Sequence, residues 1–409
     1  MRDCFSKGML RSKQILIVFT LIGTFSLALI GSISFSNPPA GSESVRPSPA
    51  MEQSNEDAAE EFGRPRLLWK FKSKGAFFSA PEISGEMVIV GDAEGTLSCL
   101  SAEDGDKIWS RSFSGYFAAS PVIADNRVYI TQSRREVIYY QESGGGIFQS
   151  APRVSRVVEE DGAVRCLDLR YGRRRWKRNL PRAVHSSPVL EGDRVIVGCL
   201  DHKIYCLDRS TGTIIWDFKT DGPVESAPAV EDGLVLAGSR GGSIYCLNLK
   251  NGEEKWRFGL GKRVVSTPVC RDGMLFVGAD NGEVYSILVK TGRPVWQTGI
   301  DGVLAGAPIV TGRYIYAGTT AGKIYCLSIN NGREVWSQKL SRRITSSPRE
   351  IGGRILVSTD KGVICCLDPE DGTVKWKYNI FSGSTAWMTS DGERIYLASS
   401  DRKVYCLGE

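Results

Sequence analysis

The chain has 409 residues, of which 42% are hydrophobic and 24% charged, a balance that fits a folded protein and excludes a disordered one. Its two histidines exclude a His-rich metal site and any chemistry needing several imidazoles. The formal net charge of +6 permits anionic partners without demanding them.

Ile15 to Phe35 is a 21-residue apolar run with no charge inside it, preceded by Arg2, Lys7, Arg11 and Lys13. As a helix it would rise about 30 Å, enough to cross a bilayer core. The basic flank should stay in the cytoplasm, which delivers the rest of the chain outside. Residues 1–36 therefore read as a signal peptide or transmembrane anchor. The length of the run favours an anchor, while Ser34-Phe35-Ser36 offers a weak cleavage site. No cysteine follows the run, so a lipid-modified N-terminal Cys is not expected; Cys4 lies on the wrong side. Residues 37–63 contain Pro38, Pro39, Pro47, Pro49 and the acidic group Glu56, Asp57, Glu60 and Glu61, the composition of a flexible linker.

From there on the chain repeats itself. Trp69, Trp109, Trp176, Trp216, Trp256, Trp296, Trp336 and Trp376 are spaced by 40 residues, apart from one gap of 67. A second column holds Cys99, Cys166, Cys206, Cys246, Ser286, Cys326, Cys366 and Cys406. A glycine stands four residues before each Trp from the second onward, and a Ser/Ala/Thr-Pro column runs from Pro81 to Pro348. Four columns in register override the two or three domains that length alone suggests.

One unit reads as four short strands. They are Ser187–Leu190, Arg194–Gly198, Lys203–Asp208 and Ile214–Phe218, separated by Glu-Gly-Asp, Asp-His and Ser-Thr-Gly turns. Such a sheet is apolar on both faces. Stacking the sheets in a ring buries both and protects the edges. Seven units are complete. The last, from Trp387 to Leu407, stops after three strands, and Leu67-Leu68-Trp69-Lys70-Phe71 is a fourth strand with nothing before it. The expected fold is all-β: an eight-bladed propeller of four-stranded antiparallel blades over residues 64–409, closed by its N-terminal strand and preceded by one hydrophobic helix.

The string Cys206-Leu-Asp208-Arg-Ser-Thr211-Gly212-Thr-Ile-Ile-Trp216 resembles the tryptophan-docking repeat of quinoprotein propellers, with Cys where that motif has Ala. Cys326 to Trp336 and Cys366 to Trp376 follow it more loosely. The resemblance covers residues 67–407 and implies that each Trp docks between adjacent blades. One branch of that family binds pyrroloquinoline quinone and calcium and oxidises alcohols or sugars. The other is cofactor-free and similar to the outer-membrane assembly factor BamB, in which an interblade loop bearing Leu and Arg holds the partner. The loop here that best matches it, Asp221 to Glu225, lacks both residue types.

Fold does not choose between the branches, so residues must. A quinone oxidoreductase needs a carboxylate base and hard oxygen ligands for calcium. Most Asp and Glu here fall in the repeat's turns, as do Asp104, Glu191, Asp193, Asp232, Asp272, Asp371 and Asp391, and Glu225 is the one acidic departure near the ring's mouth. Cys365-Cys366 would have to twist a strand to form a bridge. Its second member is the repeat's Cys column, and its first fills a slot held by Tyr205, Tyr245 and Tyr325. The remaining cysteines read as core, His185 and His202 as isolated surface or turn residues, and Gly144-Gly145-Gly146 as a loop. No cofactor, no metal and no catalytic residue are expected.

What is left is surface. An excess of 27 residues, at about 132–160, interrupts the second unit between its second and third strands. It reads as a loop on the same face as the links between blades, where binding usually sits. Arg165, Arg170, Arg173, Arg174, Arg175, Lys177, Arg178 and Arg182 make the same blade basic, and alternation along an outer strand should divide them between its two sides. The interblade links carry Phe77, Phe78, Tyr116, Phe117, Arg182, Lys262, Arg263, Arg342, Arg343 and Phe381, types that dominate protein–protein contacts. The leading expectation is a non-catalytic envelope scaffold that docks envelope proteins of an outer-membrane assembly machinery, touches the membrane through its N-terminal segment and binds no nucleic acid. The rivals are a quinone- and calcium-dependent dehydrogenase, and a binder of envelope polysaccharide or lipid through the basic blade.

Overall fold

A computed structural model describes residues 63–142, 153–340, 342–380 and 386–408. The expected anchor, nearly all of the linker, Gly144–Gly146 and Phe381 lie outside these residues. Among them the chain forms 32 strands and no helix. The strands make eight four-stranded antiparallel sheets. Blades 1 to 7 take residues 82–112, 122–180, 189–219, 229–259, 269–299, 309–339 and 349–379 in turn. Blade 8 takes 386–408 together with Arg66–Lys72.

Blade 3 shows why these residues form this unit. Its inner strand, Val189–Glu191, turns at Gly192 (φ 53°) into Arg194–Cys199. Asp201 and His202 turn the chain again, His202 at φ 67° with the Asp201 carboxylate accepting from the Lys203 amide. Lys203–Asp208 then runs antiparallel to Ile214–Lys219. The Asp208 carboxylate accepts from the amides and hydroxyls of Ser210 and Thr211, which closes the last turn. In the outer strand Ile215 has no partner opposite it. This bulge recurs one residue before each Trp in blades 1 to 7, and the first strand has an irregularity at the same place.

The core is divided into seams. Val195, Val197, Tyr205 and Leu207 pack on Tyr129, Val164 and Cys166 of blade 2, while Ile196, Ile204 and Cys206 pack on Val235, Ala237, Tyr245 and Leu247 of blade 4. Alternate side chains of the same strands thus enter opposite seams, which is why the middle strands are apolar without interruption. Inner strands of neighbouring blades contact one another, so these short strands surround the central axis.

Tryptophan and glycine lock each seam. Trp176 Nε1 donates to the Arg209 carbonyl of the next blade at 3.0 Å. The same bond, from each indole to a carbonyl of the following blade, is made by Trp69, Trp109, Trp216, Trp256, Trp296 and Trp336. Gly212, at φ 71°, lies on the Trp176 ring so closely that a Cβ would stand 2.4 Å from Cε3. The glycine column exists because only a residue without Cβ can turn there and meet an indole face.

The ring closes as the sequence predicts. Arg66–Lys72 pairs with Lys403–Gly408, Trp69 lying opposite Cys406, and Phe71 and Trp69 pack with Tyr396, Ala398 and Val404.

Candidate partner-binding face

Each of the seven links entering blades 1 to 7, from an outer strand to the next blade's inner strand, plugs one apolar side chain into the ring. These are Phe77, Phe117, Val184, Val224, Val264, Leu304 and Ile344, all at most 6% exposed. In five of the seven links the socket is a glycine at or next to the end of the preceding blade's second strand. A Cβ on Gly91 would come 2.7 Å from Phe117, and one on Gly198 would come 2.3 Å from Val224. Backbone bridges such as Phe77 to Asp92 and Val264 to Ala279 pin the links beside the turns between second and third strands, so both sets of connections share one face.

This corrects two of the expected contact residues. Phe77 and Phe117, at 1% and 0% exposure, are plugs and present nothing to a partner. The signal is in the sequence: their column is Val, Leu or Ile in the links entering blades 3 to 7, the composition of a core position. Phe78 is half-buried, against Trp387 edge to face at 5.9 Å. Tyr116 is half-buried too, its hydroxyl 3.0 Å from His185 Nε2. Arg182, Lys262, Arg263, Arg342 and Arg343 are exposed. They stand on the links entering blades 3, 5 and 7, so they form separate stations on one face rather than one patch. Arg263 Nε pairs with Asp280 at 2.7 Å. Glu225, singled out for its charge, is paired with Arg240 at 3.1 Å.

Carboxylates that the sequence marks only as loop or turn residues hold the links rigid. Asp92 is fully buried and accepts from the Ser73 hydroxyl and the amides of Gly75, Glu94 and Thr96. Asp221 accepts from the Ser239 and Ser243 hydroxyls, and the Tyr245 hydroxyl accepts from its amide. Burial by itself would raise the Asp221 pKa, but the hydroxyls of Ser239 and Ser243 outweigh it and hold the group below its usual range.

The excess in blade 2 is not the expected loop. Arg127–Glu142 and Arg153–Asp168 pair without a break from Arg127 opposite Asp168 to Glu142 opposite Arg153, a β-ribbon extending the second and third strands. Its sequence explains this: Val137, Ile138, Tyr139 and Tyr140 run antiparallel to Val154, Val157 and Val158, all β-branched or aromatic. The basic cluster also departs from expectation. Arg165 belongs to the third strand and is only 6% exposed, whereas Arg170, Arg173, Arg174, Arg175, Lys177 and Arg182 are exposed. Arg178 is half-buried and donates to the Gly212 carbonyl at 2.7 Å.

All ten cysteines of the described residues are free. Burial pushes Cys99, Cys206, Cys246, Cys326 and Cys406 up to about 12, and Cys365 and Cys366 to about 11, so none of these is a reactive thiolate at neutral pH. Cys365 faces the seam with blade 6 and Cys366 the seam with blade 8. No group of three or more His, Cys, Asp or Glu is gathered for a metal among the described residues.

One titrating pair stands by the central axis. Burial raises Glu82, on the inner strand of blade 1, to about 7 against the opposing pull of Arg349 from blade 7. The folded state therefore keeps a proton on Glu82 that the unfolded chain has already lost. Stability contributed by this group is present below pH 4.5 and is lost as pH rises through 7. Glu82→Gln should remove that decline, which for one group reaches at most about 1.4 kcal/mol per pH unit. Denaturant melts of both proteins between about pH 5 and 8 check this; parallel curves would refute it.

A family model described as "Outer membrane protein assembly factor BamB" matches residues 63–150, 160–244 and 229–407. The gap between its first two segments falls in the ribbon of blade 2. Among solved structures, BamB from Moraxella catarrhalis is 19% identical, covering 85% of this chain and 100% of that one, with a TM-score of 0.68. The computationally designed Ika8 protein is 15% identical, covering 84% of this chain and 99% of that one, with a TM-score of 0.70. Among curated proteins there is no significant match. Likeness to a designed protein as well as a natural one shows the fold and no more.

Proposed function

This chain belongs to the family of the outer membrane protein assembly factor BamB, and from that membership we propose that it is a non-catalytic docking propeller of the cell envelope. Its partners would be envelope proteins of an outer-membrane assembly machinery, met on the face that carries the links. Its place would be extracytoplasmic, tethered or exported through the apolar run at Ile15 to Phe35, where nucleic acid is no routine partner.

The observation that carries this reading is the build of the link face. The buried plugs Val184, Val264 and Ile344 fix the same links that carry the exposed Arg182, Lys262, Arg263, Arg342 and Arg343, which therefore ride on a rigid frame. Rigid presentation lowers the ordering cost of association. Arginine is among the residues that contribute most at protein interfaces.

Cross-linking in the native membrane, followed by identification of what is captured, tests the proposal. Reversing Arg342 and Arg343 to Glu together should weaken capture about tenfold or more, the loss of roughly 1.4 kcal/mol. The melting transition should stay put, since both side chains are exposed. Unchanged capture would count against the link face. A stoichiometric quinone bound with calcium, together with dye reduction, would overturn the non-catalytic reading altogether.

A further inference from the structure

Eight copies of one unit provide an internal control: a residue that breaks the repeat can be judged against its counterparts. In the third strand, the position just before the cysteine column is Tyr205, Tyr245, Tyr285, Tyr325 and Tyr405 in five blades, Cys365 in blade 7 and Ser98 in blade 1. In blade 2 it is Arg165, which is buried. Two residues beyond its partner in the second strand stand small or acidic residues elsewhere, such as Ser239, Ala279, Thr319, Thr359 and Ser399, and here Gln132. Across from Arg165 in the outer strand is Lys177. Blades 4, 7 and 8 also carry a cation there, Arg257, Lys377 and Lys70, but those face Tyr245, Cys365 and Tyr405 rather than a second cation. Arg165, Gln132 and Lys177 meet at one cavity of about 230 Å³ at the base of the ribbon, together with Ser114, Arg134 and Asp161.

The cavity holds its central cation in place. Arg165 Nε donates to Gln132 Oε1 at 2.5 Å, and Gln132 Nε2 in turn donates to the Ser114 carbonyl at 2.8 Å. The Phe113 ring lies 4.4 Å from the guanidinium carbon. No carboxylate of the described residues pairs with Arg165. Asp161, the one acidic group in the lining, makes two contacts with Arg134, at 3.2 and 3.0 Å. The described lining thus holds Arg165 and Lys177 in addition to the Arg134–Asp161 pair.

A buried, oriented guanidinium with no counter-ion is a costly arrangement that a bound anion would relieve. We propose that this cavity is a binding site for a phosphate-type oxyanion, borne by a small soluble molecule or by a lipid headgroup. Two lining cations, Arg165 and Lys177, suit the two charges of a phosphate monoester near neutral pH, and the planar guanidinium fork suits its oxygens. Burial and the charge of Arg174 lower Arg165 only to about 10, so it stays cationic at neutral pH. Burial and the charge of Arg165 also lower Lys177, against the pull of Asp161, as expected of cations that repel one another across a cavity. The site is independent of the docking reading, because its test reads anion binding alone.

The probes are inorganic phosphate against chloride at matched ionic strength, followed by titration calorimetry and thermal melting of the full chain. Phosphate should bind and raise the melting temperature. Arg165→Tyr restores the residue that five other blades carry, and Lys177→Gln alters an exposed side chain; each should weaken binding about tenfold or more. If Arg165→Tyr fails to fold, Lys177→Gln alone decides the matter. Sedimentation with phosphatidylglycerol vesicles but not phosphatidylcholine vesicles, lost in Lys177→Gln, would assign the headgroup as the source. Phosphate binding without vesicle binding would assign a soluble ligand. Stabilisation no greater than chloride gives together with no vesicle binding, or binding undiminished in both variants, would overturn the proposal.

Discussion

Deleting Arg66–Lys72 from the otherwise intact chain should abolish the cooperative melting transition at ordinary temperature. That strand supplies the only outer strand of blade 8, pairing from Arg66 opposite Gly408 to Lys72 opposite Lys403. Without it Lys403–Gly408 becomes a bare edge, and the seam packed by Trp69, Phe71, Tyr396 and Cys406 opens. Loss of a buried Trp side chain alone costs about 3–5 kcal/mol, against a total stability of about 5–15 kcal/mol for a typical domain. Circular dichroism melts and limited proteolysis read the outcome. A synthetic peptide spanning residues 63–74 should restore the transition when added to the truncated chain. A deletion that melts like the parent would dispose of the closure by shared ends.

The second large effect is expected at Gly212. Gly212→Ala places a Cβ 2.4 Å from the Trp176 ring in a backbone held at φ 71°. Left-handed backbone costs an L-residue about 1–2 kcal/mol, and overpacking a tight seam costs about 1–3 kcal/mol more. Gly192→Ala separates the two contributions, because Gly192 sits at φ 53° with nothing within 4 Å of its would-be Cβ. Gly212→Ala should therefore lose clearly more stability than Gly192→Ala in urea titrations. Equal losses would mean that the glycine column serves the turn alone and has nothing to do with the indole.

The fold is legible because one pattern is written eight times. Strand limits read from Ile214–Phe218 or Lys203–Asp208 agree with the structure to within a residue, and the shared eighth blade follows from counting strands at the two ends. The site is less legible. Aromatic side chains on links look like anchors, so Phe77 and Phe117 read as rim residues; only alignment with Val224 and Ile344 marks them as plugs. The excess at about 132–160 reads as a loop, although its β-branched and aromatic residues pair as a ribbon over 132–142 and 153–160. Arg165 reads as one surface cation among several, although its column is tyrosine in most blades. In each case the misleading feature is the residue type, and the informative one is its position in the repeat.

The pairing of Trp69 with Cys406 joins the two ends of the described chain, some 337 positions apart. The first strand of the described residues is thus among the last to find its neighbour, and contacts of such separation form slowly. This order of events keeps the ring unlatched until its last strand has arrived. The latch then sets the moment at which a nascent chain, until then sticky at both margins, stops being a target for proteases and chaperones.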